Sequence, residues 1–163
     1  MELVKASVDQ HWEIASEFLL QTVERCNRKN YPLWTHEQIQ VASLRKSYAL
    51  DSLYLLEHNS QLVGCVFISF DCDDFWKEIE TKRTLFFHKL AIGDRFSSQG
   101  LGVLAITEIR SFAEKSGCEW VRCDCHGGRE SLRAFYENCG FAFVDRLQMY
   151  GFDVARYEML ANG

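Results

Sequence analysis

The chain has 163 residues, is 47% hydrophobic, and carries 18 Lys and Arg against 23 Asp and Glu for a formal net charge of −5. That suits a single domain, 1–163, with one sizeable core, and excludes disorder as the main state. No apolar run approaches the ~20 residues that cross a bilayer, and Met1-Glu2-Leu3-Val4-Lys5 lacks the basic-then-apolar pattern of a targeting signal. The acidic balance argues against a broad basic face for nucleic acid. The expectation is a cytoplasmic protein without a nucleic-acid or membrane partner.

The pattern opens with a short strand at 3–8. From 10 to 28, Trp12, Ala15, Phe18, Leu19, Val23 and Cys26 recur at spacings of three and four, which predicts an amphipathic helix. Tyr31-Pro32-Leu33-Trp34 breaks it. Thr35 followed by Gln38 has the form of a capping box and predicts a second helix running to about Lys46. Apolar runs at 53–56 and 62–68 flank a polar turn and read as a hairpin. An acidic and aromatic loop, Asp71-Cys72-Asp73-Asp74-Phe75-Trp76, precedes a further strand at 84–92. The rest alternates: a helix at 101–116, a strand at 118–125, a short helix at 131–138, and strands at 141–147 and 154–160. This is the pattern of a mixed α/β sheet.

Seven cysteines, Cys26, Cys65, Cys72, Cys118, Cys123, Cys125 and Cys139, cannot all pair, and most lie among apolar neighbours. They read as reduced thiols acting as small hydrophobes. Cys123-Asp124-Cys125-His126 sets four potential ligands in a row, but no second pair stands at structural-zinc spacing, so no metal is expected.

The most informative segment is the joint between the strand ending Leu90-Ala91-Ile92 and the helix that follows it. Ser97-Ser98-Gln99-Gly100-Leu101-Gly102 places two glycines where a helix begins. Unpaired N–H groups at the positive end of a helix dipole can hold a pyrophosphate without a cluster of lysines. The third glycine of a dinucleotide fingerprint is missing, and no Gly-Lys-Ser/Thr follows, so neither NAD nor ATP is favoured.

A second segment completes a pattern: Gly128-Arg129-Glu130-Ser131-Leu132-Arg133-Ala134-Phe135-Tyr136-Glu137-Asn138-Cys139-Gly140-Phe141. Together the two resemble the GNAT superfamily of acetyl-CoA-dependent N-acetyltransferases. That family's glycine turn, Gln/Arg-x-x-Gly-x-Gly/Ala, corresponds to 97–102, and its later helix ending, Leu/Phe-Tyr-x-x-x-Gly-Phe, corresponds to 135–141. The resemblance implies a mixed sheet of about seven strands with a central splay, flanked by about four helices. The strands at 85–92 and 118–125 would part there to admit the pantetheine arm of the cofactor.

By the same resemblance, backbone groups of Leu90 and Ile92, with Ala91 between them, would bind the pantetheine amides. The turn Ser97, Ser98, Gln99, Gly100, Leu101 and Gly102 would hold the pyrophosphate. Tyr136, with Phe135 beside it on the cofactor, would protonate the departing thiolate, which suits a thiol of pKa near 8.5 and a phenol with a transferable proton. Two positions depart from the pattern. Ser97 stands where Gln or Arg is usual, with Arg95 or Gln99 as compensating candidates, and Arg129, either a phosphate partner or a solvated helix-start residue, stands where Asn is common.

The implied reaction is acetyl transfer from acetyl-CoA to a primary amine by direct attack in a ternary complex. His88 is a candidate base on the strand bordering the acceptor. Asp71, Asp73, Asp74 and Trp76 would attract a cationic amine, and Tyr31 and Trp34 would form another wall of that pocket. A small-molecule acceptor is expected on the strength of the acidic loop. The alternatives are a protein N-terminal or lysine acetyltransferase and a non-catalytic acyl-CoA-binding sensor. An exposed sheet edge is compatible with a homodimer.

Overall fold

One face of the helix at Gln10–Arg28 is apolar, and the structure buries it: Trp12, Ala15, Leu19, Thr22 and Val23 all lie inward. The computed structural model describes residues 1–81 and 83–163. In chain order its elements are β1 (Glu2–Lys5), α1 (Gln10–Arg28), α2 (Val41–Ser47), β2 (Leu53–His58), β3 (Gln61–Ser69), β4 (Thr84–Ile92), α3 (Leu101–Lys115), β5 (Trp120–His126), α4 (Glu130–Asn138), β6 (Ala142–Met149) and β7 (Phe152–Leu160). The strands form one sheet in the order β1-β2-β3-β4-β5-β7-β6. It is mixed, since β4 and β5 run parallel while β1 with β2, β2 with β3, and β7 with both β5 and β6 run antiparallel. Seven strands and four helices match the expected architecture.

Two early predictions need correction. The first strand ends at Lys5 rather than at residue 8: Ala6 N–H still donates to Leu53 O at 2.9 Å, but Val8 O already accepts from His11 N–H as the chain turns into α1. The predicted helix from Thr35 to Lys46 is broken. Both capping-box bonds form, with Thr35 N–H on Gln38 Oε1 at 3.0 Å and Gln38 N–H on Thr35 Oγ1 at 3.2 Å. They cap only a 3-10 turn, Glu37–Ile39. Ser16 Oγ donates to the Ile39 carbonyl at 2.8 Å, Gln40 is extended, and α2 starts afresh at Val41.

The chain divides into two compact units, 1–68 with 88–108 and 69–87 with 109–163, so that β4 and α3 each contribute to both. In the first unit, α1, α2, β2 and β3 enclose Trp12, Leu19, Val23, Leu44, Leu53, Leu55, Phe67 and Ala91. In the second, Trp76, Leu85, Phe86, Val121, Cys123, Ala155 and Tyr157 are buried. Within this unit β4 pairs with β5 over only three positions, from Thr84 opposite Trp120 to Phe86 opposite Arg122, although β5 continues its ladder with β7 as far as His126.

Gly64 in β3 lets β4 approach, because a Cβ there would run into the Ala91 carbonyl and lie 3.2 Å from Ile92 Cδ1. Gly93 N–H then donates to Val63 O at 2.8 Å and fixes the exit of β4 from the sheet. Gly64→Ala overpacks this contact and is expected to cost about 2 kcal/mol in urea denaturation, and to weaken whatever the segment after β4 binds.

Candidate active site

In the first unit the site is built from the end of β4 and the turn that follows. Asp94 anchors that turn to α1: its carboxylate pairs with Arg25, and with Arg28 at 3.3 Å, while its N–H donates to Gln21 Oε1 at 2.9 Å. The Ile92 carbonyl accepts from Arg25 Nη2 at 3.1 Å. Ser97 Oγ donates to Asp94 O at 3.0 Å and Gln99 Nε2 to Arg95 O at 3.0 Å, so both side chains are spent inside the turn. The side chain of Ser97 and the compensation offered by Gln99 are therefore engaged locally.

The backbone is arranged differently. Ser98 and Gly100 adopt left-handed φ values of 60° and 76°, and the Gly100 carbonyl accepts from Val103 and Leu104 N–H at 3.1 and 3.2 Å. Among the described residues, the N–H groups of Ser98, Gln99, Gly100, Leu101 and Gly102 have no acceptor. Five consecutive donors at the start of the 15-residue helix α3 make a positively polarised segment, and segments of this kind bind phosphate. Leu101 is 6% exposed and packs inward, which orients this first turn.

Upstream, β4 carries an irregularity. Lys89 has φ 50°, an unusual mid-strand conformation that costs about 1 kcal/mol and marks a bulge. Successive strand residues ordinarily face opposite ways, yet His88 and Lys89 both reach the first unit's core. The His88 ring lies 6.1 Å from Tyr48, itself stacked on Phe67 at 4.1 Å, and the Lys89 ammonium lies 4.8 Å from the Trp34 ring centroid. Trp34 packs on that core as well. Leu90 and Ile92 are half-buried, and Ala91 is buried. Tyr31 is half-buried, with its N–H on Cys26 O at 2.9 Å closing the end of α1. His88, Trp34, Tyr31 and Lys89 all belong to the first unit. Sequence reasoning passed over Lys89; the signal was a lone lysine in an otherwise apolar strand.

Burial pushes the Lys89 amine down to about 8. The Cys65 thiol is pushed up to about 12 by burial.

In the second unit, Tyr136 lies 7% exposed on α4, with the rings of Phe135, Phe141, Tyr157 and Phe87 at centroid distances of 5.5, 5.6, 5.8 and 6.1 Å. Burial above all, then the Cys123 and Cys125 thiols, Asp124 and Cys139, hold its phenol well above the ordinary range. It is kept protonated and can act as a donor. Arg129 stands at the start of α4, its N–H on His126 O at 3.0 Å, and its charge reaches Cys125, whose thiol burial nonetheless pushes up to about 12.

The acidic loop belongs to the same unit. Trp76 is fully buried rather than part of an acceptor wall. Its Nε1–H donates to Asp124 Oδ2 at 3.3 Å, and the guanidinium groups of Arg122 and Arg156 lie 5.3 and 5.1 Å from its ring. Arg156 forks onto Asp145 at 2.7 and 2.6 Å and donates to Phe75 O at 2.8 Å, while Arg122 binds Glu158 at 2.9 Å and Thr84 Oγ1 at 3.0 Å. A wholly buried ring offers a substrate no surface, so Trp76 is a core anchor that fixes the loop. Asp73 accepts from Phe75 N–H at 2.8 Å, Asp74 pairs with Lys77 at 2.6 Å, and Asp71 is exposed.

This combination of sheet, glycine turn and tyrosine helix has counterparts among known proteins. A model of the acetyltransferase (GNAT) family matches residues 12–141. The chain belongs to that family. The uncharacterized N-acetyltransferase YesJ of Bacillus subtilis is 28% identical over 87 residues, which is 52% of this chain and 43% of YesJ, so the match spans less than half of that relative. A GNAT-family acetyltransferase from Listeria monocytogenes shares the fold with a TM-score of 0.77 at 17% identity, over 98% of this chain and 94% of that one. The aminoglycoside acetyltransferase AAC(6')-Ib, solved with coenzyme A and kanamycin, does so with a TM-score of 0.71 at 13% identity, over 98% and 95%.

The depressed lysine has a consequence for stability. Its ordinary pKa is ~10.4, so between about 8 and that value the unfolded chain binds more protons than the folded one, and stability rises with pH across the window. Urea denaturation from pH 7.5 to 10 is expected to give that rise in the wild type and a flatter profile in Lys89→Met.

Proposed function

We propose that the chain is an acetyl-CoA-dependent N-acetyltransferase, with 1–163 working as one domain, that acetylates the primary amine of a small molecule. The observation that carries this reading is the run of five N–H donors at 98–102, which answers the strongly anionic end of coenzyme A with backbone rather than with lysines. Arg129 and Arg95 stand as side-chain candidates for the remaining phosphate charge, and Phe135, beside Tyr136, is the candidate to pack against the cofactor arm. Backbone groups of Leu90, Ala91 and Ile92 are the candidates for its pantetheine amides. The family's activity and the amine substrate of AAC(6')-Ib support a small-molecule amine as acceptor.

Bound acetyl-CoA supplies a thioester carbonyl. The neutral acceptor amine attacks the carbonyl carbon, its nitrogen sheds the surplus proton to solvent, the C–S bond breaks, and Tyr136 delivers its proton to the departing sulfur before regaining one from solvent. His88, held beside Tyr48, is the candidate to take the proton the ammonium must lose. Raising the phenol's pKa ensures that this donor is loaded throughout the working range. The seven free cysteines suit a reducing, cytoplasmic setting, and the sheet-edge strand β6, with Phe143 46% exposed, is where a second copy would pair in a homodimer.

Tyr136→Phe keeps the ring packing and removes only the hydroxyl. Thiol release from acetyl-CoA is expected to fall by about 10²-fold in kcat, with coenzyme A affinity, measured by calorimetry, changed by less than about threefold. Unchanged turnover would sink the proton-donor role, and failure of the wild type to bind coenzyme A would sink the transferase reading itself.

A further inference from the structure

Lys89 is a charged group on β4 that the proposed reaction leaves unused. The bulge at φ 50° turns it onto the ring of Trp34, at 4.8 Å from the centroid, and among the described residues no carboxylate pairs with it. The groups that face it are the Trp34 indole, from the connection between α1 and α2, and the Cys65 thiol of β3, which burial keeps protonated; His88 precedes it on the strand. The buried arginines of the second unit are treated differently. Arg122 and Arg156 each have a carboxylate partner. A desolvated cation with only a ring for company is costly, and an incoming anion would relieve that cost.

The carboxylates expected to draw a cationic acceptor are less available than their number suggests. Asp73 caps the turn at Phe75, and Asp74 is paired with Lys77. In the first unit, Lys89 beside Trp34 brings a positive charge to the face that also bears His88 and Tyr48.

We propose that the acceptor carries, beside its amine, an anionic group, either carboxylate or phosphate, and that Lys89 on the face of Trp34 receives it. This rests on the acetyltransferase reading and narrows its substrate class. Lys89 is a specificity residue here, since an anion seated on it orients the amine without taking part in the bond changes. A charge-assisted hydrogen bond of this kind corresponds to about tenfold or more in kcat/KM.

The test uses acceptors that differ only in the anion: propylamine against β-alanine for carboxylate, and ethanolamine against O-phosphoethanolamine for phosphate, with spermidine as the polycation. Thiol release from acetyl-CoA is expected to favour the anionic member of at least one pair by about tenfold, and which pair responds identifies the anion. In Lys89→Met the two members should become equal through a rise in KM for the anionic one, and Lys89→Arg should restore the preference. The N-acetylated product of the favoured member, which has no titratable amine, should bind more weakly as pH rises through about 8, where the lysine loses its charge. Tighter binding of neutral amines or spermidine overturns the proposal, as does a preference that survives Lys89→Met. Coenzyme A binding without turnover of either anionic amine also overturns it while leaving cofactor recognition intact. Failure to bind coenzyme A overturns the transferase reading and this inference with it.

Discussion

The structure depends on one strand serving two cores. Phe86 and Phe87 of β4 pack in the second unit, against Trp76 on one side and Tyr136 with Phe141 on the other, while His88, Lys89 and Ala91 belong to the first. A regular strand cannot do this without losing its phase, because its side chains alternate strictly. The left-handed φ at Lys89 falls just where the strand passes from one unit to the other, and Ala91 lies in the first unit's core. The ladder to β5 has already ended by then, three positions long.

The treatment of charge follows from this geometry. Where cations hold structure together they are satisfied: Arg122 and Arg156 each combine a carboxylate, an uncharged oxygen and the ring of Trp76. The aromatic face spreads the desolvation cost, and the fork geometry of guanidinium meets several acceptors at once. Trp76 is thus less an exposed recognition residue than the keystone that ties the acidic loop to the sheet. Lys89 shares the aromatic contact without a carboxylate partner among the described residues, and burial makes its amine easier to deprotonate.

Much of this was legible in the residues. α1 appears with the predicted ends because its apolar period is uninterrupted, and the seven strands followed from alternation and turn chemistry. The glycine turn and Tyr136 could be read because a helix start and a tyrosine before Cys139-Gly140-Phe141 are local patterns. Other features are nonlocal. The capping box at Thr35 forms as written, yet the helix beyond it fails because Ser16, 23 residues away, claims the Ile39 carbonyl. Trp76 looked like a loop aromatic near carboxylates, and nothing in its neighbourhood announces two arginines from distant strands. The positive φ at Lys89 is invisible for a further reason: lysine has no preference for that conformation, so only the demands of two packed faces place it there.

The acidity of the whole chain and the anionic character of a coenzyme A ligand are reconciled by the kind of positive charge involved. A net charge of −5 repels a polyanion at long range, but only weakly beyond a Debye length of ~8 Å at physiological salt. At contact the field is set by the nearest dipoles, and there the five N–H groups at 98–102 have no acceptor among the described residues. They carry partial charge without a counterion, without rotamer entropy and without a pKa, so their attraction is the same at every working pH. Their orientation depends on φ at Ser98 and Gly100 and on the anchorage of Asp94 to Arg25, not on any basic side chain. A surface that is acidic in sum can therefore be cationic at one turn, and substitutions that leave the net charge unchanged but relax that turn should matter more to ligand binding than substitutions that alter the charge elsewhere.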